Sequence, residues 1–85
     1  MYLYSIFHAC QKDDNANTSE NCSHDSTVYS YKVLGKGDFI VFPGTPDEYI
    51  VVKSRHYVIP GGKPSDSLAQ GQVIGEVFVK ENEPS

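Results

Sequence analysis

The sequence predicts an all-β fold: a small antiparallel barrel or strongly bent sheet of five to six strands, with no substantial helix. Three observations carry this. The apolar segments are short and rich in branched and aromatic residues, as in Thr27 to Leu34 and Gln72 to Lys80. Clusters of Gly, Pro, Asn, Asp and Ser separate them. No segment carries apolar residues at helical spacing for long enough to form a crossover helix, so a βαβ unit is excluded.

Met1 to Cys10 reads as the first strand. Leu3, Phe7 and Ala9 fall on one face, and Tyr2, Tyr4, Ile6, His8 and Cys10 on the other. Both faces are fairly apolar, which suits a strand covered on each side. Gln11 to Ser26, QKDDNANTSENCSHDS, has no large aliphatic or aromatic residue. Asp, Asn and Ser favour local turn bonds over ladders, so this is a polar loop. Thr27 to Leu34 is the second strand. Gly35-Lys36-Gly37-Asp38 is a turn in which glycine supplies positive φ.

Phe39 to Phe42 is the third strand, and Pro43-Gly44-Thr45-Pro46-Asp47 turns the chain back. Glu48 to Ile59 is long for one strand. Its polar middle, Lys53-Ser54-Arg55-His56, marks a bulge or bend that divides it. A loop over residues 60–66 and one helical turn at Ser67-Leu68-Ala69-Gln70 follow. Gln72 to Lys80 is the last strand, with Gly75 at a bulge or a close backbone approach. Residues 1–80 thus form a single small domain, and residues 81–85 a flexible tail. The stretch from Lys36 to Ile59 reads as the scaffold hairpin. Within it, Gly37-Asp38-Phe39-Ile40-Val41-Phe42, the turn, and Tyr49-Ile50-Val51-Val52 are similar to the first hairpin of SH3-like barrels. That resemblance implies a fold and assigns no functional residue.

With 85 residues the chain suits one domain with a thin core, where a disulfide, metal or partner adds useful stability. Its 39% hydrophobic and 21% charged residues place it with soluble globular domains and away from disordered chains. The net charge of −4 gives no pull towards phosphate and favours a basic partner surface. Lys12 stands against Asp13, Asp14, Glu20 and Asp25 in the first third, so the acidity is concentrated there. No apolar run reaches the roughly 20 residues that a bilayer requires. MYLYSIFHAC lacks a basic start and a small-residue cleavage site, so a cytoplasmic location is expected. Asn17-Thr18-Ser19 and Asn21-Cys22-Ser23 fit the glycosylation sequon, but the segment's Asn and Ser content explains them by chance.

One constellation carries chemistry. His8-x-Cys10 and Cys22-x-His24 are mirror-symmetric, and the positions within each facing pair share a common sum. An antiparallel register with that sum sets His8 opposite His24 and Cys10 opposite Cys22, all on one face. It also sets Tyr4 opposite Val28 and Tyr2 opposite Ser30. Three readings stay open. His8, Cys10, Cys22 and His24 could hold a tetrahedral Zn²⁺, although the cysteine spacing departs from common zinc sites. Cys10 and Cys22 could form a disulfide. Both could remain thiols, with Cys10 buried and Cys22 on the loop. No other motif implies a cofactor.

Other motifs carry less. Gly61-Gly62-Lys63-Pro64-Ser65 lacks the spacing of a phosphate loop. Asp13-Asp14-Asn15 lacks EF-hand spacing. No G-x-S-x-G elbow occurs. Six tyrosines and four phenylalanines are many for this length, so some face solvent, where Tyr makes contact area at low entropy cost.

These readings favour a binding protein over an enzyme. The expected role is a small acidic protein–protein interaction module, such as an inhibitor or adaptor. Size and charge suit an inhibitor of a host protein encoded by a phage or mobile element. The expected contact residues are Asp13, Asp14, Glu20, Lys53, Arg55, His56 and Tyr57. The alternative is a small nucleic-acid-binding barrel, with Lys32, Lys36, Lys53, Arg55 and exposed tyrosines as a stacking platform. Edge strands also leave homodimerisation by strand addition open.

Overall fold

The computed structural model describes residues 1–58 and 73–82. Five strands form one sheet: β1 (Tyr2–His8), β2 (His24–Ser30), β3 (Phe39–Val41), β4 (Glu48–His56) and β5 (Val73–Glu81). Their spatial order is β2-β1-β5-β4-β3, and the sheet curls into a half-barrel. A 3₁₀ turn at Asp14–Ala16 is the one helical element among the described residues. The expected loop at 60–66 and helical turn at 67–70 lie outside the described residues.

Three of the four pairings are antiparallel, but β1 and β5 run parallel. Strand periodicity does not encode the relative direction of distant strands, so the all-antiparallel expectation failed at this pair. The centre of the sheet is β5, between β1 and β4. The hairpin of β3 and β4 therefore occupies one side of the sheet, with β3 at an edge, and is not the organising unit. Strand β2 begins at His24, three residues before the expected start, and ends at Ser30. The last strand runs into the expected tail: Glu81 closes β5, and Asn82 N donates to Glu48 O at 2.8 Å.

The alternation of β1 separates two cores. Tyr4 and Ile6 join Leu34, Val51, Val77 and Val79 on one face. Phe7 joins Cys22 and Phe78 on the other, with Ala9 and Val52 packed alongside. Phe7 and Phe78 stack with ring centroids 5.2 Å apart. The larger core has a polar centre. Tyr4 is fully buried, and its Oη accepts from Leu34 N at 3.0 Å and lies 2.8 Å from His56 Nε2. With the backbone N–H already donating to Oη, the hydroxyl hydrogen is free for the imidazole nitrogen.

Irregularities in pairing bend the sheet. The β4–β5 register shifts between Val51 and Lys53, so the bulge falls at Val52, just ahead of the expected polar middle, and Lys53 to His56 pair with β5 in unbroken register. The β1–β5 register shifts between Leu3 and Tyr4, where Gly75 pairs with Tyr4 and His56. A Cβ at Gly75 would collide with the Arg55 carbonyl oxygen, so this is a close backbone approach. Gly37 and Gly44 have φ of 95° and 87°, which fits the two turns around β3.

Candidate functional site

The register between β1 and β2 decides the geometry of the His–Cys constellation. It follows the expected common sum from Tyr2↔Ser30 through Tyr4↔Val28 to Ile6↔Ser26. It then slips by one between Ile6 and Phe7, so that Phe7 faces His24. A slip of one residue in a strand exchanges faces. The imidazole of His24 packs edge-on against Phe7, at 5.2 Å between centroids. His8 turns the other way, 3.8 Å from an Asp25 carboxylate oxygen and 6.0 Å from the Tyr49 ring. The four side chains of the expected tetrad do not converge. Among the described residues no group of three or more His, Cys, Asp or Glu side chains is placed to hold a metal ion.

The cysteines do meet. Cys10 Sγ and Cys22 Sγ lie 2.8 Å apart as free thiols. Their exposure is the reverse of the sequence expectation: Cys10 faces solvent and Cys22 is buried. The hydrogen bond with Cys22, then burial, raises the Cys10 thiol pKa above its ordinary value. Each sulfur also has a carbonyl within reach. Cys22 Sγ donates to Asn17 Oδ1 at 3.2 Å, and the single hydrogen of Cys10 Sγ serves either Cys22 Sγ or Asn21 O, the latter also 3.2 Å away.

Asn17 is the residue that organises this corner. It is fully buried, with 0% exposure, in the most polar segment of the chain. Its Oδ1 accepts from Cys10 N at 2.9 Å and Gln11 N at 3.0 Å. Its Nδ2 donates to Asp14 O at 3.3 Å. The burial of a side-chain amide is offset because its hydrogen-bonding groups are filled. Burial also closes the Asn17 sequon to a glycan in the folded protein. Nothing in the sequence separates Asn17 from Asn15 or Asn21. All three lie between the two cysteines, so that position does not single it out either.

The segment between the cysteines covers the smaller core. Lys53 Nζ donates to Asn17 O at 2.6 Å and Asn15 O at 3.2 Å, and lies 5.4 Å from the Phe78 ring centroid. Asp13 caps the 3₁₀ turn by accepting from Asn15 N. The Asp14 carboxylate lies 3.8 Å from both Lys36 Nζ and Lys80 Nζ. A bare polar loop is thus fastened down by cations from β4, β5 and the turn before β3.

Several expected contact residues already serve inside the fold. Besides Asp13, Asp14 and Lys53, Arg55 pairs with the buried Glu76 at 3.4 Å, and His56 meets Tyr4. Glu20 and Tyr57 are exposed. Desolvation, then the Glu76 charge, raises the Tyr57 pKa. Each cation of the nucleic-acid reading already has a partner within the fold. Lys32 is 3.0 Å from Asp38, Lys36 is beside Asp14, and Lys53 and Arg55 are engaged as described.

A different surface stands out. The curl of the sheet brings its two edge strands to one cleft of about 450 Å³. Val28 and Tyr29 of β2, Tyr31, Leu34, and Phe39 and Val41 of β3 line it. Tyr31 is 89% exposed, Tyr29 63% and Phe39 61%. Sequence reasoning placed some aromatics at the surface. It did not select these, because strand periodicity says nothing about which face a curl leaves open.

No family model matches the chain, and no curated protein or solved structure is significantly similar to it. Among the described residues no helix is long and apolar enough to cross a membrane.

Proposed function

We propose that the protein is a protein-binding module that takes an extended segment of a partner protein into the cleft between β2 and β3. The observation that carries this reading is the apolar, aromatic-lined cleft between two edge strands. Among the described residues neither edge has a second strand partner. An edge strand offers a row of backbone donors and acceptors, and an extended peptide satisfies them by strand addition. Tyr29, Tyr31 and Phe39 then supply rigid contact area for alternate side chains of the peptide. The net charge of −4 favours a basic partner by speeding encounter. An inhibitor or adaptor needs no more machinery than this.

A random displayed-peptide library, selected on the whole protein, tests the reading. Extended peptides with alternating apolar residues and added basic charge are expected. Their binding should shift amide resonances of β2 and β3, and weaken at least tenfold in Tyr29→Ser and Phe39→Ser variants that keep the wild-type circular dichroism. Peptides indifferent to both substitutions would remove the proposal. So would a stable dimer, by light scattering, whose interface occupies the cleft with a second copy of the chain.

A further inference from the structure

We infer that Cys10 and Cys22 form a reversible thiol–disulfide site that reacts with small-molecule disulfides, with Cys10 as the attacking thiol and Cys22 as the resolving one. The inference is independent of the cleft. Two sulfurs 2.8 Å apart need little movement to bond, and the chain between them is already turned back on itself. Cys22 N donates to Thr18 O at 2.9 Å, and Ala9 N to Val79 O at 2.9 Å, so both flanks are anchored. Exposure assigns the roles. Cys10 is open to solvent and Cys22 is buried behind it, so an incoming disulfide meets Cys10 first.

The chemistry balances with one oxidant molecule. Cys10 loses its proton to solvent, and its thiolate attacks one sulfur of the small disulfide, breaking its S–S bond and releasing one thiolate, which takes up a proton. Cys22 then loses its proton to solvent and attacks the Cys10 sulfur of the mixed disulfide. The second small thiolate leaves and is protonated. Two protein thiols have been oxidised by two electrons, and one small disulfide has been reduced to two thiols.

Neither state strands a buried group. In the thiol form Cys22 donates to Asn17 Oδ1 and Cys10 to either Cys22 Sγ or Asn21 O. In the disulfide form both donors disappear, but Asn17 Oδ1 keeps Cys10 N and Gln11 N. The Asn17 cradle is therefore compatible with both, which is what a reversible site requires.

The test is intact-mass spectrometry of the full chain, equilibrated in reduced and oxidised glutathione at varied ratios. The wild type should lose about 2 Da as the oxidised form rises, regain it with dithiothreitol, and accumulate no lasting adduct. Cys22→Ser should hold a stable glutathione adduct of about 305 Da, and Cys10→Ser should take it up far more slowly. The oxidised wild type should melt higher by something on the order of 10 °C. A wild type that keeps both thiols throughout, or that carries a lasting adduct, overturns the site. Equal adduct formation in the two variants overturns the assignment of roles.

Discussion

Lys53 Nζ donates to the backbone carbonyl of Asn17 at 2.6 Å, across 36 residues of sequence. This one bond ties the most polar segment of the chain to the middle of β4. The same ammonium reaches Asn15 O and lies over Phe78, so it spans the loop and the smaller core. Lys53→Met keeps much of the aliphatic stem and removes the donors. It should cost about 1–3 kcal/mol, since hydrogen bonds to charged groups are the stronger ones. Urea unfolding would measure the loss. Hydrogen exchange should show amides of residues 15–22 opening sooner, with the amides of β5 following only the global change.

Asn17→Ala removes the acceptor shared by Cys10 N and Gln11 N. Each backbone N–H left without a partner costs about 1–3 kcal/mol if water cannot reach it. The expected result is a variant with the sheet intact and the corner open. Its Cys22 thiol should be alkylated by iodoacetamide at a rate close to that of Cys10, whereas in the wild type the buried thiol lags. If Cys22 stays protected in Asn17→Ala, Asn17 is not what holds the corner closed.

The parts of the fold that follow local periodicity were readable in advance, and those that depend on distant pairing were not. The two-faced pattern of β1 correctly predicted a covered strand, and Gly75 a close approach. The parallel pairing of β1 with β5 left no trace, because either direction buries the same alternate residues. The common sum of His8, Cys10, Cys22 and His24 was correct as far as Ile6. It failed at the next residue because a bulge is a local event that alternation does not report. Asn17 was unreadable for another reason. A buried amide is selected by the backbone groups around it, and the sequence shows only one Asn among several.

Gly75→Ala tests the tight crossing of β4 and β5. An added Cβ meets backbone of Arg55 and His56, which cannot swing aside as a side chain would. Overpacking of this kind typically costs about 1–3 kcal/mol, and here the strained contact is between β4 and the central strand β5. The variant should unfold at lower urea with an unchanged slope. A stability equal to that of the wild type would mean that β4 and β5 separate at the bulge without penalty.

Tyr4→Phe probes the polar centre of the larger core. The substitution preserves the ring and strips Leu34 N of its acceptor and His56 of its partner. A buried donor left alone costs about 1–3 kcal/mol. Tyr4→Phe should therefore be less stable by about that amount. It should also loosen the segment after β2, seen as faster exchange of the Leu34 amide. An unchanged Leu34 exchange rate, corrected for global stability, would show that the hydroxyl does not hold that backbone.

Asp38 supplies the pH dependence. Its carboxylate accepts from Gly35 N at 2.7 Å and from Lys32 Nζ at 3.0 Å, and these bonds, the backbone one first, lower its pKa below the ordinary value. A lowered carboxylate pKa stabilises the fold above the unfolded-state value near pH 3.9, and that contribution fades as pH falls through the lower folded-state value. The wild type should therefore be more stable than Asp38→Asn at pH 7, with the advantage constant down to about pH 5 and narrowing below about pH 4. Thermal melts of both proteins between pH 7 and pH 2.5 would show it. A difference that stays constant through the acid range would assign the effect of Asp38 to shape and neutral hydrogen bonding. A difference that narrows only below pH 4 would assign it to the ionised carboxylate that closes the turn between β2 and β3.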